Sequence, residues 1–262
     1  MADLTDDDFR ELSGLLFGAK DRYRSARATI AHTVDAEVAE EANRRFVDWR
    51  FAQGNPGMAI IGKEGPPVRE DFYQDYEDTE EVFYLWHERP DRWREERHKV
   101  GGGLLRCVVA AGRRKPLWIY HPPEVAIHVP SVPEKRKPDP DFAFMLDPSE
   151  ESFYHSVVDD TTIHKTGRRA TVAAREAVEV MVRTISWGYP PIIFHGFYAP
   201  DGTTDHLLLV DAKVGVILRV AARLEDREFY VAEVTEIAFN EELPEDTFRL
   251  ELPGVEFQRV DR

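Results

Sequence analysis

The chain has 262 residues, of which 42% are hydrophobic and 11% aromatic, and it carries a net charge of −15. That apolar content supports one large core and argues against a disordered chain. A field this negative repels phosphate backbones and anionic lipid surfaces, which sets nucleic acid and charged membranes aside as partners.

The first elements are helical. Thr5 followed by Asp6, Asp7 and Asp8 is a helix start, and Phe9, Leu12, Leu15, Leu16 and Ala19 recur at helical spacing to about Lys20. A short strand is expected over 26–32. Asp35 then caps a second helix carrying Val38, Ala42, Phe46 and Trp49 on one side. From 54 to 79 the pattern dissolves into a long Gly/Pro-punctuated loop, read equally as a functional flap or as a mobile segment.

Strand signals follow, at a spacing of roughly 8–12 residues, the mark of an antiparallel sandwich or barrel. They cover 82–86, 92–96, 104–110, 117–120 and 125–129, separated by Pro90-Asp91, Gly101-Gly102-Gly103, Gly112 and Pro122-Pro123. The Pro- and charge-rich stretch 131–148 reads as a loop, and 148–155 as a short helix. Strands are expected again at 170–173 and 177–185 about a turn at Arg175-Glu176, then at 207–210, 216–224 and 229–239. Alternation in 216–224 gives that strand one core face and one wet face. Conflicting parity among Phe229, Val231, Glu233 and Val234 predicts a bulge near 232–234.

The single cysteine, Cys107, lies in an apolar run and reads as a small buried hydrophobe. No stretch reaches the roughly 18 apolar residues of a membrane span. The acidic start has neither the basic nor the apolar region of a signal peptide, so the chain as given is expected to be cytoplasmic.

Three stretches together carry a family resemblance. They are Phe83-Tyr84-Leu85-Trp86 with Arg89-Pro90-Asp91-Arg92-Trp93-Arg94, then Pro116-Leu117-Trp118-Ile119-Tyr120, then Leu208 through Arg219 with Phe229 through Asn240. As a set, spanning roughly 83–250, they resemble the LolA/LolB-like lipoprotein-carrier superfamily, including the MucB/RseB type of sensor domain. The resemblance implies a mainly β, α+β fold: a curved antiparallel unclosed β-barrel, with helices covering the concave face over an apolar cavity. It implies one domain over 1–262, with 1–53 supplying helix, strand and an inserted helix, and 54–79 the flap. The start of the sequence as given is not expected to act as the export signal of such carriers.

Tyr84, Trp86, Trp93, Trp118 and Tyr120 lie on successive expected strands, and their broad apolar faces with polar tips suit a ligand cavity. The same residues would equally fill a core beneath two helices. His121, His128, His155, His164, His195 and His206 are scattered, fall in no metal-ligand spacing and read as surface or capping groups. His155 and His164 with Asp159 and Asp160 form the nearest thing to a hydrolytic cluster. No nucleophile elbow, Walker loop or dinucleotide fingerprint is present. The reading is therefore a non-enzymatic binder, with no catalytic residue, metal or cofactor. Its partner is a hydrophobic small molecule, lipid or apolar peptide segment, or alternatively a partner protein engaged through the flap. An open sheet edge also leaves room for a homodimer.

Overall fold

The structure, a computed structural model, describes residues 6–53, 69–112, 115–131, 140–148, 161–184 and 202–260. Helix α1 (Asp6–Phe17) begins on three acids that suit the positive end of its dipole; the expected cap at Thr5 lies outside the described residues. Its last turn is closed by Arg22, whose Nη1 donates to Leu15 O at 2.6 Å and Nη2 to Gly14 O at 3.0 Å. Strand β1 (Ser25–Val34) and helix α2 (Ala36–Ala52) follow, with the Asp35 side chain accepting from Val38 N as expected of an N-cap. Of the expected flap, 54–68 lies outside the described residues. The part from 69 onward lies along α2, held by Tyr73 Oη donating to Asp48 and Gln74 N donating to Asn43 Oδ1.

Strands β2 (Thr79–Glu88), β3 (Arg92–Lys99), β4 (Leu104–Ala110), β5 (Leu117–His121) and β6 (Val125–Val129) then form a meander. A one-turn helix α3 (Ala143–Leu146) interrupts the strands, inside the stretch expected to be loop. The helix expected over 148–155 lies outside the described residues apart from its first residue. Strands β7 (Thr161–Val172), β8 (Arg175–Thr184), β9 (Asp205–Asp211), β10 (Ile217–Leu224), β11 (Arg227–Phe239) and β12 (Gln258–Arg259) complete the chain.

Among the described residues twelve strands join one sheet, in the order β12-β6-β5-β4-β3-β2-β1-β11-β10-β9-β8-β7, which is not closed into a barrel. Every pairing is antiparallel except β12 on β6. The sheet curls strongly at its β7 end. Three strands separate β7 from β11 in the hydrogen-bonded order, yet the two come within 8 Å between Cα atoms. The Arg175 guanidinium at the start of β8 sits 4.9 Å over the ring of Phe239 at the end of β11. Bulges accompany this bend, because an extra residue increases local twist. Register breaks skip Thr235 opposite β1 and Phe229 opposite β10, either side of the 232–234 expectation.

The β7–β8 turn differs from its expected place. Its two residues are Ala173 and Ala174, both at positive φ (48° and 59°), so the strands meet two residues earlier than Arg175-Glu176. A residue with a Cβ is disfavoured in that conformation, and Ala173 packs against the core there.

Side chains alternate across the sheet, and the alternation sorts its two faces. Ala28, Ile30, Phe83, Leu85, Leu208, Leu218, Val220 and Ala222 share an inner face and form one core with Leu12 and Leu16 of α1 and Val38, Ala39 and Ala42 of α2. The helices approach closely where glycine permits. A Cβ on Gly215 would stand 1.9 Å from Leu15 O of α1, and one on Gly202 1.9 Å from Ala42 O of α2.

Candidate functional site

The space inside the curl, where an apolar hollow is expected, is occupied by the chain itself. Phe142, Ala143, Phe144, Met145 and Leu146 are five consecutive buried residues, with Met145 and Leu146 fully enclosed. They belong to the connection between β6 and β7. This plug spans the curl: the Phe142 ring lies 4.5 Å from Phe83 of β2 and 5.6 Å from His32 of β1, and α3 approaches β10.

Polar side chains hold the plug at both ends, from β3 and β4 at one and from residues flanking β1 and β2 at the other. Glu95 of β3, 1% exposed, accepts from Phe142 N at 3.1 Å. Arg106 of β4 donates to Asp141 Oδ1 at 2.5 Å and faces the other Glu95 oxygen, Oε1, at 3.6 Å. At the far end Tyr23 Oη donates to Leu146 O at 2.7 Å, and Arg89 Nη1 lies 3.4 Å from Asp147 Oδ2. Having spent its one proton, the Tyr23 hydroxyl must accept from His87 Nδ1 at 2.9 Å, which fixes the histidine tautomer. Burial pushes the Tyr23 phenol well above its ordinary range, so it stays a donor.

Burial also raises the Glu95 carboxyl, to about 7. The Asp141 charge adds to the rise, while backbone N–H groups of Phe142 and Asp141 and the Arg106 cation oppose it. Beside it, Arg97 grips Glu81 through two bonds of 2.7 Å, and His32 Nδ1 lies 3.5 Å from the same carboxylate. Burial alone would raise Glu81, but His32 and Arg97 outweigh it and hold its carboxyl below the ordinary value.

The five aromatic residues singled out in the sequence do not share one surface. Trp93 pairs with His87 across β2–β3 and lies on the inner face, its ring flat on the His87 imidazole at 3.6 Å. Tyr84, Trp86, Trp118 and Tyr120 lie on the outer face with Cys107 and Val109. There the C-terminal run covers Trp86, Trp118 and Tyr120, with Phe248 and Leu250 buried and Leu243, Leu252 and Phe257 packed alongside. Trp118 stacks on His128 at 5.2 Å, and Tyr120 meets Phe257 at 6.4 Å. Tyr84 is the most open of the set, at 38% exposure. Cys107 is buried as expected, its thiol pushed up to about 12 mainly by desolvation.

His206 is not a surface group: it is fully buried on β9, and desolvation lowers it to about 3, so it is neutral. His155, Asp159, Asp160 and His195 lie outside the described residues, and His164 is placed only as a β7 backbone position opposite Met181. Among the described residues no three His, Cys, Asp or Glu side chains form a metal-binding group, and no helix is long and apolar enough to cross a membrane.

A second concavity, about 750 Å³, opens between α1 and the β7–β8 hairpin, lined by Arg22, Arg169, Arg175, Glu176, Asp211 and Lys213. Its arginines are already engaged: Arg22 on α1 carbonyls, Arg169 on Glu176 and Arg175 on Asp211. Leu15, Ala174, Val178 and Ala212 add apolar surface among these charges, so the concavity is mixed in character.

The plug and its polar anchors were missed by sequence reasoning. Five apolar residues after Asp-Pro-Asp, in a Pro-rich stretch, have no period to read, although their being consecutive was a usable sign.

No protein-family model matches this sequence, nor does any curated protein. Among solved structures, the chain is similar to MucB from the Pseudomonas aeruginosa MucA/MucB complex, at 13% identity and a TM-score of 0.49, covering 93% of this chain and 61% of that one. It is also similar to an uncharacterized conserved protein from Thermus thermophilus, at 12% identity and 0.47, covering 97% and 99%. A LolA superfamily protein from Nitrosomonas europaea matches at 10% identity and 0.34, covering 91% and 97%. The chain spans about three fifths of the MucB length. At these identities the likeness is one of fold.

Proposed function

We propose that residues 1–262 act as one non-enzymatic binding unit that takes an apolar ligand, an acyl chain or an apolar peptide segment, into the curl of the sheet. The observation that carries this reading is the plug. A connection between strands ordinarily runs over the surface, because its backbone needs partners there. Here five consecutive residues of one are buried in the curl and anchored by polar side chains at both ends. A short segment that belongs to no strand can leave without breaking the sheet, and the surface it vacates is apolar. The ligand site is accordingly the inner face around Phe83, Leu85 and Trp93. Trp86, Trp118 and Tyr120 instead serve to seat the C-terminal run.

The test is uptake of an apolar fluorescent probe, anilinonaphthalene sulfonate, by the unaltered chain and by Phe144→Ser, which weakens the plug. The variant should take up the probe saturably, displaced by dodecanoate or an apolar peptide, with its near-ultraviolet circular dichroism retained. No saturable, displaceable uptake by either protein contradicts the reading.

A further inference from the structure

The polar groups at the two ends of the plug say more about the occupant than that it is apolar. An acyl chain offers no donor or acceptor along its length. The plug, by contrast, is read through its backbone at two points: Phe142 N–H by the Glu95 carboxylate and Leu146 C=O by the Tyr23 hydroxyl, both groups buried. It is also read through charges just outside the apolar run, Asp141 by Arg106 and Asp147 by Arg89. The occupied pattern is therefore acid, five apolar residues, acid. Glu95 Oε1 makes no hydrogen bond among the described residues and only faces Arg106 at 3.6 Å, so an occupant lacking a backbone N–H would leave the buried Oε2 without a donor. A buried acceptor or donor left without a partner costs roughly tenfold or more in affinity.

We infer that the curl is a peptide-recognition groove, and that 141–147 stands in, within the same chain, for a partner protein segment of the same pattern: an acidic residue, about five apolar residues in a single helical turn, and a second acidic residue. The inference rests on the binding role proposed above and narrows its ligand class from any apolar molecule to a peptide. Arg106 and Arg89 set the register of the partner, Glu95 and Tyr23 its direction, and Phe83, Leu85 and His32 the pockets for its aromatic residues. The chain's own segment competes for the groove, so a partner must match or exceed it to enter.

The experiment uses the labelled heptapeptide Asp-Phe-Ala-Phe-Met-Leu-Asp, its Lys-for-Asp counterpart, and dodecanoate, with the full chain carrying Phe144→Ser. The acidic peptide should bind saturably, and the lysine peptide at least about tenfold more weakly. Adding Glu95→Leu should weaken the acidic peptide about tenfold and leave dodecanoate unchanged. Dodecanoate binding with no peptide binding would overturn this inference while sparing the binding role; binding of neither would end both. Should Phe144→Ser fail to fold, the unaltered chain decides the matter. Excess acidic peptide should then speed hydrogen exchange at Ala143, Met145 and Asp147 several-fold by displacing the plug, and unchanged exchange overturns the inference.

Discussion

The two faces of the β2–β5 meander are both covered by stretches of chain that belong to no long element, but the covers are built differently. The outer cover, 240–260, is joined to the sheet by apolar side chains, Phe248 and Leu250 sinking among Cys107 and Val109, and by polar contacts too, Arg94 donating to the carbonyls of Thr247 and Arg249 and Ser25 Oγ to that of Glu241. Its end is hydrogen-bonded in as β12. The inner cover, 140–148, is equally apolar in its middle, yet its ends are fixed by single polar contacts from Glu95, Arg106, Tyr23 and Arg89. Apolar interlocking is nondirectional and hard to exchange piecemeal. Polar anchors at two ends can be handed to another molecule offering the same groups. The outer cover is also tied in by strand pairing through β12, which 140–148 lacks among the described residues, and that difference separates a structural cover from a replaceable one.

The largest effect expected from breaking this contrast is on the outer side. Phe248 is 1% exposed, and Phe248→Ala should cost about 3–5 kcal/mol in urea unfolding. Probe uptake in the curl should stay as it was, because the lost contacts lie on the opposite face. Arg106→Ala acts on the inner side. It leaves Asp141 and the buried Glu95 without their cation, should cost about 1–3 kcal/mol, and should raise probe uptake about tenfold by freeing the plug. Stability unchanged together with uptake unchanged would show that Arg106 anchors nothing.

The pH dependence of the inner anchor has a definite sign. The Glu95 carboxyl is raised from 4.5 unfolded to about 7 folded, so between those values the folded chain holds a proton that the unfolded chain has released. Its contribution to stability is complete below about pH 4.5 and is lost as pH rises through about 7. Glu95→Gln keeps an acceptor for Phe142 N–H but cannot ionise. Its stability relative to the unaltered chain should therefore rise across that window, by at most about 3 kcal/mol. A constant difference between the two urea titrations contradicts the assignment. The smallest effect is at the half-open edge of the outer face, where Tyr84→Ser should change stability by less than about 1 kcal/mol and leave uptake alone.

The strands between β2 and β6 were legible because Gly, Pro and Asp punctuate them, and 104–110 and 125–129 fell on their observed limits. The β7–β8 turn was not, since Ala173-Ala174 adopts positive φ with no residue that announces it. The faces of the aromatic residues were half legible. Tyr84 and Trp86, or Trp118 and Tyr120, must point alike by being two apart, but Trp93 could be sorted only by the register that sets it beside His87. The plug was the least legible. Its burial is decided by Glu95, Arg106 and Tyr23, which lie between 35 and 123 residues away along the chain, and no local pattern encodes such contacts.

The most direct measurement is native-state hydrogen exchange at Phe142, Ala143, Met145 and Asp147, whose amides are bonded to Glu95, Pro140 O, Phe142 O and Ala143 O. It compares them with the amides of β1, β2 and β10 in one unaltered protein. A replaceable occupant opens on its own, so the plug amides should exchange at a free energy well below that of the strands and with little dependence on denaturant. Exchange of both sets only through global unfolding would contradict the account, and make 140–148 as fixed a part of the core as Leu85.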